Sequence, residues 1–189
     1  MSAEILIDLT PQPLERVESE IAVAGFFSDE RPLRGGAARV DWRLCGGLSR
    51  RIVDGDLAGA SGEALLIGCG RALRSPRLLL VGLGERGGFD SERARQQTET
   101  AVARCLGLRC ARIALAPLGI APDDVPRHAP ALLAGLERAC SGEQAPLHLQ
   151  LCVRRSEIPG IARALLEARR STGAQGVEIR TPEPERAPP

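Results

Sequence analysis

Length, composition and charge exclude several classes of protein. The chain has 189 residues, of which 43% are hydrophobic and 26% charged, so it should fold as an ordinary globular chain with a substantial core. Every basic residue is Arg and none is Lys, which is typical of a GC-rich genome and excludes Schiff-base lysines and the lysine of a phosphate-binding P-loop. The formal net charge of +1 provides no field that would attract nucleic acid or an anionic membrane, and neither is expected as a partner.

The six cysteines and the amino-terminal residues indicate the cellular compartment of the protein. No two cysteines form a CxxC pair, and Cys105 and Cys110 flank a predicted helix end at Gly107 without further ligand residues nearby. Free thiols in a reducing cytoplasm are the simplest interpretation. The first ten residues do not resemble a secretory signal, and no apolar run approaches the length of a membrane span. The sequence therefore predicts a cytoplasmic protein.

Short β-rich runs alternate with longer segments of helical period, which predicts a single α/β layered domain over residues 1–180. Strands are predicted at Ile5–Leu9, Ile21–Phe27, Ala64–Gly68, Leu78–Val81, Arg112–Ala116, Leu147–Val153 and Val177–Arg180. Helices are predicted at Ala37–Val53, from Asp90 or Ser91 to about Gly107, at Pro130–Cys140 and at Pro159–Arg170. The Pro- and Glu-rich end, residues 181–189, is predicted to be a disordered tail.

One glycine-rich segment is a candidate ligand-binding loop. The predicted strand Leu78–Val81 runs into GLGERGG, which has the form G-x-G-x-x-G, and its candidate binding residues are Gly82, Gly84, Glu85, Gly87 and Gly88. In a dinucleotide fold such glycines let the backbone approach a pyrophosphate. Here the third glycine precedes the helix instead of lying within it, and no acidic residue follows the next strand. A tight strand-to-helix turn is therefore the simpler interpretation.

Catalytic constellations are sparse in this sequence. His128 and His148 have neither HExxH spacing nor an acidic cluster beside them, and no serine lies in a G-x-S-x-G motif. The acidic pairs Asp54/Asp56 and Asp123/Asp124 lie beside Gly or Pro, as expected for turns and caps. We predict no catalytic residue, no metal ligand and no cofactor.

Three phrases of the sequence resemble the amino-terminal domain of the M17 leucyl aminopeptidase family. They are IAVAGFF (Ile21–Phe27), LSRRIVDGDLAGASGEALLI (Leu48–Ile67) and RLLLVGLGERGGFDSERARQ (Arg77–Gln96). In the middle phrase Leu57 replaces the family's usual aromatic residue and Ala60 its usual lysine. The resemblance implies a three-layer α/β/α fold with a mixed, mostly parallel sheet, similar to macro domains. The family's catalysis uses two divalent metals in a carboxy-terminal domain, whose NTDAEGR-type signature does not occur here, so the resemblance does not imply the activity.

Function is predicted from this resemblance and from the missing chemistry. The favoured hypothesis is a stand-alone, non-catalytic interaction or regulatory module that pairs with itself or with a separate peptidase. The alternatives are a module that binds a small nucleotide or ADP-ribose-like ligand through Gly82–Gly88, and a remnant or subunit of a metalloaminopeptidase. The outer face of the last predicted helix carries Arg163, Glu167, Arg169 and Arg170, so we expect a monomer or weak dimer instead of the family hexamer.

Overall fold

A seven-stranded sheet forms the centre of the protein, and helices cover it on both faces. The structure is a computed structural model that describes residues 4–142, 145–174 and 176–182. The strands are β1 (Ile5–Thr10), β2 (Ile21–Phe26), β3 (Ala64–Gly68), β4 (Arg77–Gly82), β5 (Arg112–Leu115), β6 (Leu147–Cys152) and β7 (Val177–Arg180). The helices are α1 (Gly35–Arg43), α2 (Gly47–Val53), α3 (Ser91–Gly107), α4 (Val125–Ala139) and α5 (Ile158–Thr172). In the described part of the chain, no helix combines the length and the apolar composition that crossing a membrane would need.

The sheet has the strand order β3-β4-β2-β5-β6-β1-β7. Each neighbouring pair is parallel except β3 and β4, which are antiparallel and place β3 at one edge. The sheet is therefore mixed and mostly parallel, as the resemblance implied. All seven strands lie within one residue of their predicted bounds, because short apolar runs bounded by turn residues are a strong strand signal.

The larger core lies between the sheet and the helices α3, α4 and α5. Here the strands contribute β-branched and Leu side chains, among them Ile7, Ile113 and Leu149, and the helices contribute an apolar stripe. Asp90 caps α3 by accepting a hydrogen bond from the backbone N–H of Arg93 at 2.9 Å, which decides between the two predicted caps. At its other end, α5 terminates in Gly173, whose left-handed φ of 69° suits glycine.

A smaller core lies on the other face, where α1 and α2 cover only part of the sheet. It includes Ala22 and Ala24 of β2, Leu78 and Leu80 of β4, and Leu48 of α2. Beyond it, on β1 and β6, buried residues alternate with half-buried ones, which are polar at several positions. This half of the sheet face is therefore open beside α1.

The predicted helix Ala37–Val53 is wrong as a single element, because the structure divides it into α1 and α2. Cys45 and Gly46 between them have left-handed φ angles of 53° and 77°, which no α-helix accommodates. Asp41 of the first helix caps the second: its Oδ1 accepts from the N–H groups of Leu48 at 2.8 Å and Ser49 at 3.1 Å. The predicted apolar stripe is retained: Val40 and Leu48 are buried in the smaller core, and Leu44 and Ile52 pack against it.

The predicted start of the third helix at Pro130 is also wrong. The helix α4 begins at Val125, has Pro126 in its first turn and continues through Pro130. Proline lacks an N–H, so Pro130 cannot bond to the carbonyl of Pro126 one turn earlier. Burial of Val125, Ala129 and the residues that follow them stabilises the early start. The predicted tail, 181–189, lies outside the described residues from position 183 onward.

Candidate binding surfaces

The glycine-rich loop lies at the carboxyl end of β4 and leads into α3. Its backbone is already bonded to the rest of the protein: Gly82 N–H donates to the carbonyl of Glu63 at 2.9 Å and Gly84 N–H to that of Gly59 at 2.8 Å. The carbonyl of Gly84 accepts from Ser28 N–H at 2.9 Å. These groups therefore form a strand-to-helix turn with internal partners, which leaves them unavailable to cradle a phosphate.

Two glycines of the loop are required by its geometry. Gly84 has a φ of +76°, which a residue with a Cβ adopts only at a cost. A Cβ on Gly82 would meet the backbone of Ala60 and would lie 2.7 Å from the carbonyl carbon of Gly59. By contrast, a Cβ on Gly87 would have open space around it.

The remaining loop residues face solvent or bind neighbouring side chains. Glu85, Gly87 and Gly88 are exposed. Arg86 fastens the loop to the segment after β2: its N–H donates to Asp29 Oδ1 at 2.9 Å and its guanidinium to Glu30 at 2.6 Å. With the bonds of Gly82 and Gly84 to Glu63 and Gly59, these bonds attach the turn to two separate segments.

Sequence reasoning identified the turn before β3 but not that it supports this loop. Gly59, with φ of +82°, packs against Phe26 and Ser28. The carboxylate of Glu63 accepts from the N–H groups of Ala58 and Gly59. The DGDLAGASGE and GLGERGG phrases of the resemblance are thus two turns packed on one another, and their glycine spacing was the signal for this.

A cleft of about 540 Å³ lies elsewhere, at the carboxyl ends of β1, β5 and β6. The start of α1 at Gly35 and Gly36, the segment after β1 and the segment after β5 line it. None of its lining residues belongs to Gly82–Gly88. Ligands in open α/β sheets usually bind at the carboxyl ends of the parallel strands. This cleft is therefore the candidate binding site for a small molecule.

The polar groups around this cleft are paired with one another. The guanidinium of Arg39 donates two hydrogen bonds to the carboxylate of Glu15, at 2.6 and 3.0 Å. Burial, the largest single influence, would raise the pKa of Glu15, but the hydrogen bonds to its carboxylate and the charges of Arg39 and Arg16 together keep that pKa below its ordinary value. Burial also raises the pKa of the Cys152 thiol to about 12, so this sulfur is protonated at neutral pH and is a poor nucleophile.

The two histidines have separate, satisfied positions. His128 is buried on α4, and its Nδ1 lies 3.0 Å from Ser91 Oγ at the start of α3. His148 on β6 lies 2.5 Å from Asp8 on β1, through Nε2 and Oδ2, on the open half of the sheet face. Within residues 4–142, 145–174 and 176–182, no three His, Cys, Asp or Glu side chains are grouped to hold a metal ion.

A larger groove of about 1160 Å³ runs beside α1, along the open half of the sheet face. We call it the arginine groove, because its lining includes Arg16, Arg43, Arg71, Arg74 and Arg155. Trp42, the single Trp of the chain, also lines it and is 77% exposed. Sequence reasoning missed Trp42, although it falls outside the predicted stripe of Val40, Leu44 and Leu48 and so had to face away from the core.

Comparison with known proteins identifies the family. A family model described as the cytosol aminopeptidase family, N-terminal domain, matches residues 23–143. This chain belongs to the cytosol aminopeptidase family. It is 30% identical over 110 residues to a probable cytosol aminopeptidase of Nitrosococcus oceani, a match that covers 58% of this chain and 22% of that relative. The chain spans about a fifth of the length of the curated relatives it matches.

Solved structures support the fold of this cytosol aminopeptidase N-terminal domain. The tomato leucine aminopeptidase mutant K354E aligns with a TM-score of 0.59 at 18% identity, over 87% of this chain and 36% of that chain. An Oceanobacillus iheyensis macrodomain solved with ADP aligns with a TM-score of 0.67 at 9% identity, over 86% and 91% of the two chains. The macrodomain-like, three-layer fold implied by the resemblance is therefore confirmed.

Proposed function

We propose that this chain is a non-catalytic interaction domain of the cytosol aminopeptidase family, which binds a protein partner through the surface around Trp42. One observation supports the proposal above all: the single Trp is 77% exposed and lies beside exposed arginines. Leaving a large apolar side chain in water is unfavourable, and Trp and Arg are the residues most enriched at the energetic centres of protein interfaces.

The chemistry of the described residues supports binding in preference to catalysis. The cleft thiol is protonated, the charged groups at the cleft are paired, and the histidines are held by Ser91 and Asp8. The curated relatives align with this chain over about a fifth of their own length. Two partners are candidates for this surface: a second copy of this chain and a family aminopeptidase.

Two measurements test this proposal. The purified chain, supplied with Mn²⁺ or Zn²⁺, should not hydrolyse a leucyl anilide, and turnover that follows the protein through several chromatographic steps would overturn the non-catalytic assignment. Sedimentation velocity should show self-association or a complex with a full-length family aminopeptidase, and Trp42→Ala should weaken it. An unchanged complex in Trp42→Ala would refute the proposed surface. Val53→Ala provides the control, because Val53 is an apolar side chain that is 85% exposed.

A second candidate function is small-ligand binding, which the cleft at the carboxyl ends of β1, β5 and β6 favours. The macrodomain of the same fold was solved with ADP. In this chain the ligand would lie against the start of α1 and not against Gly82 and Gly84, whose N–H groups have internal partners. Calorimetric titration with ADP and ADP-ribose tests this candidate: micromolar binding that Ala38→Phe abolishes without unfolding the protein would establish it, and the absence of heat would reject it.

A further inference from the structure

The arginine groove has a strong excess of positive charge. Arg16, Arg43, Arg71 and Arg74 are all exposed along it. Of the two acidic residues that line the groove, Glu15 is bonded to Arg39 by two hydrogen bonds. Because Glu15 is neutralised in this way, Glu18 is, among the described residues that line the groove, the one carboxylate left to oppose the arginines. The net charge of the whole chain is only +1, so this excess is local.

Hydrogen bonds, two of them buried, hold the walls of the groove in place. Beneath them, Ser19 Oγ and Ser75 Oγ lie 2.6 Å apart, and Ser75 Oγ donates to the carbonyl of Val17 at 3.1 Å. Both serines are buried, so they fasten the loop between β3 and β4 to the segment before β2. Above them, Arg43 Nε donates to the carbonyl of Ala72 at 3.0 Å and ties α1 to the same loop. A preformed site avoids much of the entropy cost of ordering on binding.

We propose that the arginine groove binds a short acidic segment of a partner protein, whose carboxylates pair with Arg71, Arg74 and Arg43 while an apolar side chain packs on Trp42. The planar guanidinium group matches a carboxylate through two parallel hydrogen bonds. The exposed indole supplies the apolar contact area that charged pairs at a solvated rim do not provide. This inference rests on the proposed interaction function and adds the chemical class of the partner.

Two other occupants fit the groove less well. A second copy of this chain offers no acidic run longer than two residues, as at Asp29-Glu30 and Asp123-Asp124. A single-stranded nucleic acid binds through several aromatic platforms, whereas Trp42 is the one aromatic residue that lines this groove.

The sequence makes a direct binding assay available. Trp42 is the single Trp and the chain has no Tyr, so intrinsic fluorescence reports on this groove alone. We would titrate the full chain with a synthetic peptide of Asp and Glu around one central Leu. The expected result is a saturable blue shift that weakens as salt is added, because exposed charge pairs are screened. The double variant Arg71→Glu with Arg74→Glu should weaken binding at least roughly tenfold, since it places like charges opposite the peptide.

A matched variant controls for total charge. Arg163→Glu with Arg170→Glu makes the same charge change on exposed positions of α5, and it should bind the peptide as the unmodified chain does. Equal loss in both double variants, or no blue shift at all, would overturn the proposal. Tighter binding of a single-stranded oligonucleotide than of the acidic peptide would also overturn it. None of these outcomes would affect the proposed interaction function, which the Trp42→Ala sedimentation experiment tests with whole proteins.

Discussion

Replacing Gly82 with Ala tests whether the glycine-rich loop is a structural turn. The new Cβ would press against the backbone of Ala60 and lie 2.7 Å from the carbonyl carbon of Gly59. Both obstacles are backbone atoms, and the turn that carries them is itself held by Glu63, so neither can yield as a flexible side chain would. Forcing a methyl group into packed surroundings costs about 1–3 kcal/mol. In a chain of this size, that cost lowers the Tm by roughly 2–12 °C.

The matched control is Gly87→Ala in the same loop. A Cβ there would have no atom within 4 Å outside its neighbours, and Gly87 has no left-handed φ. Both substitutions reduce the freedom of the unfolded chain equally, so that contribution cancels in the comparison. Calorimetry should show Gly87→Ala within about 0.5 kcal/mol of the unmodified protein. Equal Tm values for the two variants would refute the structural interpretation of the loop.

Three further predictions concern single side chains. Asp41→Ala should lower the free energy of unfolding by about 1 kcal/mol because α2 loses its cap, whereas Asp123→Ala should have little effect; urea denaturation compares them. Burial lowers the pKa of His128 below its ordinary 6.5, so on acidification the imidazole binds a proton more readily in the unfolded chain than in the folded one. The free energy of unfolding should therefore fall as the pH drops below about 6.5. His128→Gln should make this fall smaller in denaturation curves taken from about pH 8 to pH 5. Cys45 is exposed, whereas the pKa of the Cys152 thiol is raised to about 12. A thiol reagent should therefore modify Cys45 in a rapid first phase, and Cys45→Ser should remove that rapid phase from the reaction time course.

The strands and the family could be predicted from the sequence because their signals are local. Apolar runs such as Leu78–Val81 are short, continuous and followed by Gly, which distinguishes a buried strand from a helix. The end of α5 before Gly173 is likewise indicated by the residue type at one position, whereas the cap of α3 was narrowed only to Asp90 or Ser91 until the structure showed Asp90. The glycine spacing of the loop was also visible, but sequence alone left a turn and a ligand cradle as alternatives.

The breaks in the helices could not be predicted, because they depend on contacts between parts of the chain. Nothing in the periodicity of Ala37–Val53 shows that Asp41 turns to cap a second helix. The early start of α4 depends on burial of Val125 against the rest of the core, which outweighs the missing N–H of Pro130.

The arginine groove was hidden for the same reason. Its arginines come from four separate segments, at Arg16, Arg43, Arg71–Arg74 and Arg155, that only the fold brings together. Each arginine alone has the pattern of an ordinary solvated residue.

The indole N–H of Trp42 offers the most direct test of the interaction surface, because a ¹⁵N–¹H spectrum of this chain contains one indole signal. Unlabelled full-length family aminopeptidase would be added to the labelled chain. We expect the Trp42 indole signal and the amide signals of Arg71–Arg74 to shift or broaden, while those of Gly82–Gly88 and of α5 stay in place. Changes in the Gly82–Gly88 loop or in the cleft, with the Trp42 signal unmoved, would contradict the account.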